Sequence, residues 1–328
     1  MKAADDDHFF KIAEKLGGGR MIPFLGAGAD LCDRNDEAWE PGRPFLPSGR
    51  ELADYLAAKG QYPDPADHNL LRVSQYLDAA WGQDDLYDYL RRVFDSDYAP
   101  TSLHRLLARV ARHLGESKLP QLVVATTNYD DLLENALADE GLEFDVVWYE
   151  AKQNVPTHGR FVHRAPGQKP TTITRANKYA GLPLELERPA ILKLHGCLVR
   201  ESADDDSYVI TEDSYIDYLS IGDLGKLIPI ALWQRLTGSS MLFLGYSLND
   251  WNLRVILNRI WGTRKLVTNS WAVQREPSDP RVSKIEQTLW DKRENVDLVY
   301  CDLSEYTKHL EAKLALPVEA AEAAAESA

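Results

Sequence analysis

The chain has 328 residues, of which 44% are hydrophobic and 27% charged, a globular composition that excludes a disordered or fibrous class and allows two domains or one α/β domain with insertions. Lys plus Arg number 37 against 51 Asp plus Glu, a formal net charge of -14, and a surface that acidic repels phosphate backbones, so no direct nucleic-acid partner is expected.

In chain order, the N-terminus (Met1 to Asp7) is acidic where a signal peptide would be basic and then apolar, and no apolar run reaches the ~18 residues of a membrane helix, so a cytoplasmic protein is expected. A first strand is predicted over Met21 to Leu25, followed by Gly26-Ala27-Gly28. Residues 36–119 show no strand pattern. Apolar residues there, such as Leu86, Leu90 and Phe94, recur at helical spacing, which predicts a helical insertion. The α/β pattern resumes with a strand over Leu122 to Ala125, a helix ending near Ala138 and a strand over Phe144 to Tyr149. Residues 150–189, rich in Pro, Gly, Thr and basic side chains, read as a long loop or small subdomain. Then come a strand at Ile191 to Leu194, helices over Asp213 to Leu219 and Leu224 to Leu236, and a strand at Met241 to Leu244. A helix over about Asp250 to Trp261, a strand at Trp271 to Val273, a helix from Pro280 to Lys292, a strand at Val296 to Tyr300 and a helix from Ser304 to Leu314 complete the alternation. This order predicts a Rossmann-like doubly wound parallel sheet with a helical insertion, within one domain over 1–328. Residues 317–328, almost all Ala and Glu, are expected to be a disordered tail.

Four motifs end predicted strands, where open α/β sheets place their ligands. Phe24-Leu25-Gly26-Ala27-Gly28-Ala29-Asp30 sets two glycines at a strand end, a turn that either cradles a pyrophosphate or is a plain tight loop. Thr126-Thr127-Asn128-Tyr129-Asp130 offers polar groups that helix capping would also explain. Leu192-Lys193-Leu194-His195-Gly196 ends a strand with an imidazole. Phe243-Leu244-Gly245-Tyr246-Ser247-Leu248-Asn249 gives a cap or a ribose contact; it also approaches the Gly-x-Ser-x-Gly elbow, but Asn249 replaces the second glycine. Cys32, Cys197 and Cys301 lie far apart with no C-x-x-C pair, so no disulfide framework and no metal site is expected. Convergence of four such motifs on one crevice points to a nucleotide-type ligand with one Asn and one His beside it.

The set FLGAGAD, TTNYDD, KLHG and GYSLND, in this order, resembles the SIR2-like domain family, distant relatives of the sirtuins found in bacterial antiphage defence. Leu46-Pro47-Ser48 before a helix and Tyr208 to Tyr215 after the His-Gly agree locally. The resemblance implies that Gly26, Ala27 and Gly28 hold NAD phosphates, with Asp30 where a Ser is usual. It implies that Asn128 and Asp130 face the nicotinamide ribose and carboxamide, beside Thr127 in place of the usual Gln, and that His195 is the catalytic histidine. Gly245, Ser247 and Asn249 fall where the family contacts the adenosine half. The four zinc cysteines of sirtuin deacylases are missing, which implies NAD+ cleavage with water as acceptor and no metal. The implied function is an NAD+ glycohydrolase, the NAD-depleting effector of an abortive-infection system. It would be a homo-oligomer or be controlled by a partner such as a HerA-type ATPase or a short Argonaute. Two alternatives stand beside it: an NAD- or ADP-ribose-binding sensor or scaffold without turnover, and a zinc-independent protein deacylase.

Overall fold

The computed structural model describes residues 6–35, 37–64, 66–246, 255–257, 259–260, 269–277, 279–290 and 295–316. The predicted tail over 317–328 and most of the predicted helix over 250–261 lie outside them, although 255–257 and 259–260 are helical.

Nine strands form one sheet in the order β11-β10-β9-β1-β2-β6-β3-β4-β5. The first seven in that order are parallel: β11 (Val296–Tyr300), β10 (Ser270–Gln274), β9 (Ser240–Leu244), β1 (Met21–Leu25), β2 (Val123–Thr126), β6 (Ala190–Lys193) and β3 (Asp145–Tyr149). Every residue of β1, β2, β3, β6 and β9 is buried, because helices cover both faces, and the strands therefore read as continuous apolar runs. The chain runs from β1 to β2 on one side and later returns to place β9 on the other. The carboxyl ends of β1, β2 and β9 thus bound the crevice where strand order reverses.

On one face, Phe24, Ala125, Leu192 and Phe243 meet Tyr218 of α7 (Glu212–Ser220) and Leu232 of α8 (Ile230–Gly238). On the other, Leu25, Val124, Ile191 and Leu242 meet α1 (Asp6–Gly17), α5 (Ser102–Glu116), α6 (Leu132–Asp139) and α10 (Leu303–Leu314). A third core belongs to α2 (Gly49–Gly60), α3 (Leu70–Trp81) and α4 (Gln83–Phe94), where Leu56, Val73, Leu77, Leu86 and Leu90 are buried together. Ser48 opens α2 with a capping box, and Arg34 grips the same Glu51 through both guanidinium nitrogens. These contacts, Arg34 foremost, hold the Glu51 carboxyl well below the usual carboxylate range.

The sequence-based elements need several corrections. Helix α1 was not anticipated, although Phe9, Ile12, Ala13 and Leu16 follow helical spacing and are buried. Helix α5 lies within the 36–119 stretch but packs against the sheet through Leu103, Leu107, Val110 and Leu114, serving as the crossover from β1 to β2. Residues 150–189 are more than a loop: β4 (Phe161–Arg164) and β5 (Thr171–Thr172) extend the sheet antiparallel beyond β3. Their four- and two-residue lengths hide the strand signal. Asp145 anchors this edge, accepting from Arg188 Nε at 2.8 Å and meeting His163 Nε2 at 2.9 Å. The predicted Leu224 to Leu236 helix divides at Pro229 into a 3-10 turn (Leu224–Lys226) and α8. A short pair, β7 (Gly196–Cys197) with β8 (Ser207–Tyr208), follows β6. Helix α9 covers Pro280–Leu289 and is followed by the buried Trp290; 291 and 292, the end of the predicted span, lie outside the described residues.

Candidate active site

The glycine turn after β1 is shaped by close approach. The Gly26 amide donates to Leu244 O at 3.0 Å and the Gly28 amide to Gly245 O at 2.8 Å. A Cβ at Gly28 would lie 2.7 Å from Gly245 O, and one at Gly26 would lie 2.9 Å from the Tyr246 ring. Gly245 itself has φ +74, and a Cβ there would lie 2.2 Å from Ala29 N. The glycines at the ends of β1 and β9 are therefore mutually required. Ala27 lies between the two glycines in a short 3-10 turn. Of the adenosine-side candidates, Ser247 and Asn249 lie outside the described residues.

The segment after β2 is folded back onto that turn. Thr127 N donates to Leu25 O at 3.2 Å, and the Thr127 and Tyr246 hydroxyls are 2.7 Å apart, closing a contact across the crevice. Asn128 Nδ2 donates to both oxygens of Asp30 at 3.0 Å and to Gly26 O at 3.1 Å. Asp130, 6% exposed, accepts from the Leu132 amide through Oδ1, while its Oδ2 is buried with no donor among the described residues. Burial, and then the nearby Asp130 carboxyl, raise the pKa of Asp30 well above the usual carboxylate range. His104 stands behind Asp30, its Nε2 3.7 Å from Asp30 Oδ1 and its Nδ1 2.8 Å from the Thr101 hydroxyl. Burial lowers His104 to about 4, so it is neutral.

Beneath this cluster, Lys193 at the end of β6 donates to Glu134 Oε1 at 2.6 Å and to the Asp130 carbonyl. Burial opposes its charge, but the Cys197 sulfur, Glu134 and Asp130 around it hold Lys193 above the ordinary lysine range. His195, two residues on, is 4% exposed and meets Tyr215 OH through Nδ1 at 3.2 Å, with the Tyr215 and Tyr218 rings edge-on. Its Nε2 is buried with no hydrogen-bond partner among the described residues. Burial drives its pKa down to about 3, so the imidazole is neutral at physiological pH. Gly196 has φ +99, and a Cβ there would lie 2.0 Å from Ser207 O, which fixes the glycine behind the histidine.

The structure thus brings Gly26, Asp30, Asn128 and Asp130 into one network, links Thr127 to Gly245's neighbour Tyr246, and sets His195 at the next strand end. No hydrogen bond joins His195 to Asn128 among the described residues. A cavity of about 530 Å³ opens beyond Gly28 and Tyr246, lined also by Gln274, Glu286 and Asp302, and one of about 390 Å³ adjoins Asp30 and Thr101. The larger is of a size to admit part of a dinucleotide. Tyr246, His104, Lys193 and Tyr215 contact these residues and were not singled out by the motifs. Tyr246 and Lys193 sit inside them and Tyr215 ends the Tyr208 to Tyr215 stretch, whereas nothing local marks His104. No described helix is long and apolar enough to cross a membrane.

Over 262 residues the chain is 24% identical to "Defense-associated sirtuin 2" of Bacillus subtilis, covering 80% of this chain and 21% of that protein. Over 214 residues it is 30% identical to "NAD(+) hydrolase ThsA" of Acinetobacter baumannii (strain 532279), covering 64% of this chain and 35% of that one. The chain therefore spans about a fifth to a third of the length of these curated relatives. The model of the SIR2-like domain matches residues 122–299, more than half of the chain, from the last residue before β2 almost to the end of β11. That span includes Asn128, Asp130 and His195, and with the parallel sheet and its strand-end crevice it shows that the chain belongs to the SIR2-like domain family.

Proposed function

We propose that the chain hydrolyses NAD+ to nicotinamide and ADP-ribose, with Asn128, Asp130 and His195 as its catalytic residues. The observation that carries the reading is a polar Asn128 and a neutral His195 with an unpartnered Nε2 at neighbouring strand ends, β2 and β6, of the crevice. The relatives named for NAD+ hydrolysis and for defence support it.

Cleavage moves the electron pair of the N-glycosidic bond onto nicotinamide, which leaves neutral, so the reaction requires no strong acid. It leaves an oxocarbenium-like ribose, which water attacks with loss of a proton. A neutral imidazole suits both stages: a protonated His195 would repel the developing cation, whereas Nε2 is free to accept the proton from water or a ribose hydroxyl. Asn128 would hold water or ribose hydroxyls in line. Asp130 would stabilise the cation or orient the carboxamide. In this reading Gly26, Ala27, Gly28, Thr127 and Gly245 border the dinucleotide, Asp30 lies behind Asn128, and Ser247 and Asn249 contact its adenosine half.

The same reading makes the chain the NAD-depleting effector of an antiphage system in the cytoplasm, a single domain restrained by self-assembly or by a partner, since unregulated NAD+ loss kills the host. The contact between Thr127 and Tyr246 across the crevice favours the second reading, a binder without turnover. Chromatography of NAD+ reactions, acyl-lysine peptide assays and calorimetric NAD+ titration separate the three functions. Nicotinamide release without peptide supports hydrolysis; heat of binding with no release supports the sensor; release that requires the peptide supports deacylation.

A further inference from the structure

Asn128 has an amide whose two edges differ chemically, one donating and one accepting. Its three polar neighbours inside the protein are all acceptors: both oxygens of Asp30 at 3.0 Å and the Gly26 carbonyl at 3.1 Å. Turning the amide over would set its oxygen against three other oxygens at the same separations, so the donor edge is committed inward. We propose that Asp30 is a positioning residue for Asn128, binding the amide hydrogens so that the Asn128 carbonyl oxygen is the edge offered to the substrate.

This deepens the hydrolase reading and rests on it for its kinetic consequence. It also revises the expected role of Asp30, which the resemblance to sirtuins would make a ligand contact. Asp30 is held where it is from three sides. The Asn128 amide engages both its oxygens, His104 Nε2 stands 3.7 Å from Oδ1, and the Asp130 carboxyl shares its burial. The chemistry that the arrangement selects is acceptance: an oxygen facing the crevice takes a hydrogen bond from attacking water or from a ribose hydroxyl, and cannot donate to a phosphate or a carboxamide oxygen. A serine at position 30, with one hydroxyl, could not engage the amide through two oxygens in this way.

Two substitutions test it. Asp30→Leu keeps the forked shape and removes the acceptors; Asp30→Asn keeps one acceptor for Asn128 and cannot ionise. Asp30→Ala, which also removes both acceptors, replaces the leucine variant if that chain does not fold. The first readout is independent of turnover: side-chain amide exchange in protein labelled with 15N-asparagine, the Asn128 signal being assigned by its loss in Asn128→Ala. Slow exchange in wild type and in Asp30→Asn, with fast exchange in Asp30→Leu, is expected. The second is the division between kcat and KM for nicotinamide release. Asp30→Leu should lower kcat at least about tenfold with KM changed less than about threefold, and Asp30→Asn should retain the greater part of the turnover. A raised KM with kcat intact would make Asp30 a ligand contact and overturn the proposal. Unchanged Asn128 exchange in Asp30→Leu would overturn it too. If wild type releases no nicotinamide, the hydrolase reading fails by itself, and the exchange measurement still decides whether Asp30 fixes the amide.

Discussion

Substituting Met for Lys193 keeps the length of the side chain and removes its charge from a position that is 1% exposed. The ammonium group donates to Glu134 Oε1 at 2.6 Å, to the Tyr129 carbonyl at 3.4 Å and to the Asp130 carbonyl. Without it a buried carboxylate and two carbonyls lose their donor in a site that water does not reach. Removing one side of a buried ion pair costs ~3–5 kcal/mol, a large part of the ~5–15 kcal/mol that separates a folded chain from an unfolded one. Because Glu134 is the group left uncompensated, adding Glu134→Leu to Lys193→Met should recover most of the loss, leaving the double variant within about 2 kcal/mol of wild type. Urea titration followed by circular dichroism measures this, with a fall in midpoint of roughly 1 M or more expected for the single variant at an m-value of about 3 kcal/mol/M. A single variant within about 1 kcal/mol of wild type, or a double variant that loses the sum of the two single effects, would refute the reasoning.

Two further perturbations follow from the same geometry. Gly245→Ala should be the most damaging change in the glycine turn, because φ is +74 and the new Cβ would meet Ala29 N at 2.2 Å; thermal melting should show a destabilised or unfolded chain. A variant that melts like wild type and has lost only ligand affinity would mean that the glycine serves the ligand alone. Glu150, at the end of β3, is pushed by burial up to about 7 against the backbone donor of Lys152. Its folded value is above the usual 4.5, so its contribution is fully present below pH 4.5 and is lost as pH rises through 7. Glu150→Gln, which cannot ionise, should therefore gain on wild type by up to about 3 kcal/mol between pH 5 and pH 8.5. Parallel stability curves for the two proteins across that range would contradict the burial argument.

The alternation of buried strands with helices was legible because five parallel strands are apolar on both faces, and a run such as Met21 to Leu25 reads as a strand without knowledge of its neighbours. What was not legible is what the tertiary structure decides. Helix α5 has the periodicity of its neighbours α2 to α4, and only packing assigns it to the sheet. Strands β4 and β5 are only four and two residues long, and they gain their order from the edge of β3. In the site, Gly26, Asn128 and His195 ended strands and could be named from their motifs. The acceptor pair that orients Asn128 could not, because Asp30 and Asn128 are 98 residues apart in sequence. His104 is a similar case: it lies on the buried face of an ordinary amphipathic helix, and its approach to Asp30 appears only when α5 is packed.

The central claim is that water cleaves NAD+ in the crevice between the ends of β2 and β6. The most direct test incubates the purified chain with NAD+ in 18O-water, beside Asn128→Ala and His195→Ala variants shown by circular dichroism to be folded. Nicotinamide release with one 18O atom in the ADP-ribose product is expected, lowered on the order of a hundredfold or more in either variant. Turnover that survives both substitutions, or a product carrying no solvent oxygen, would contradict it.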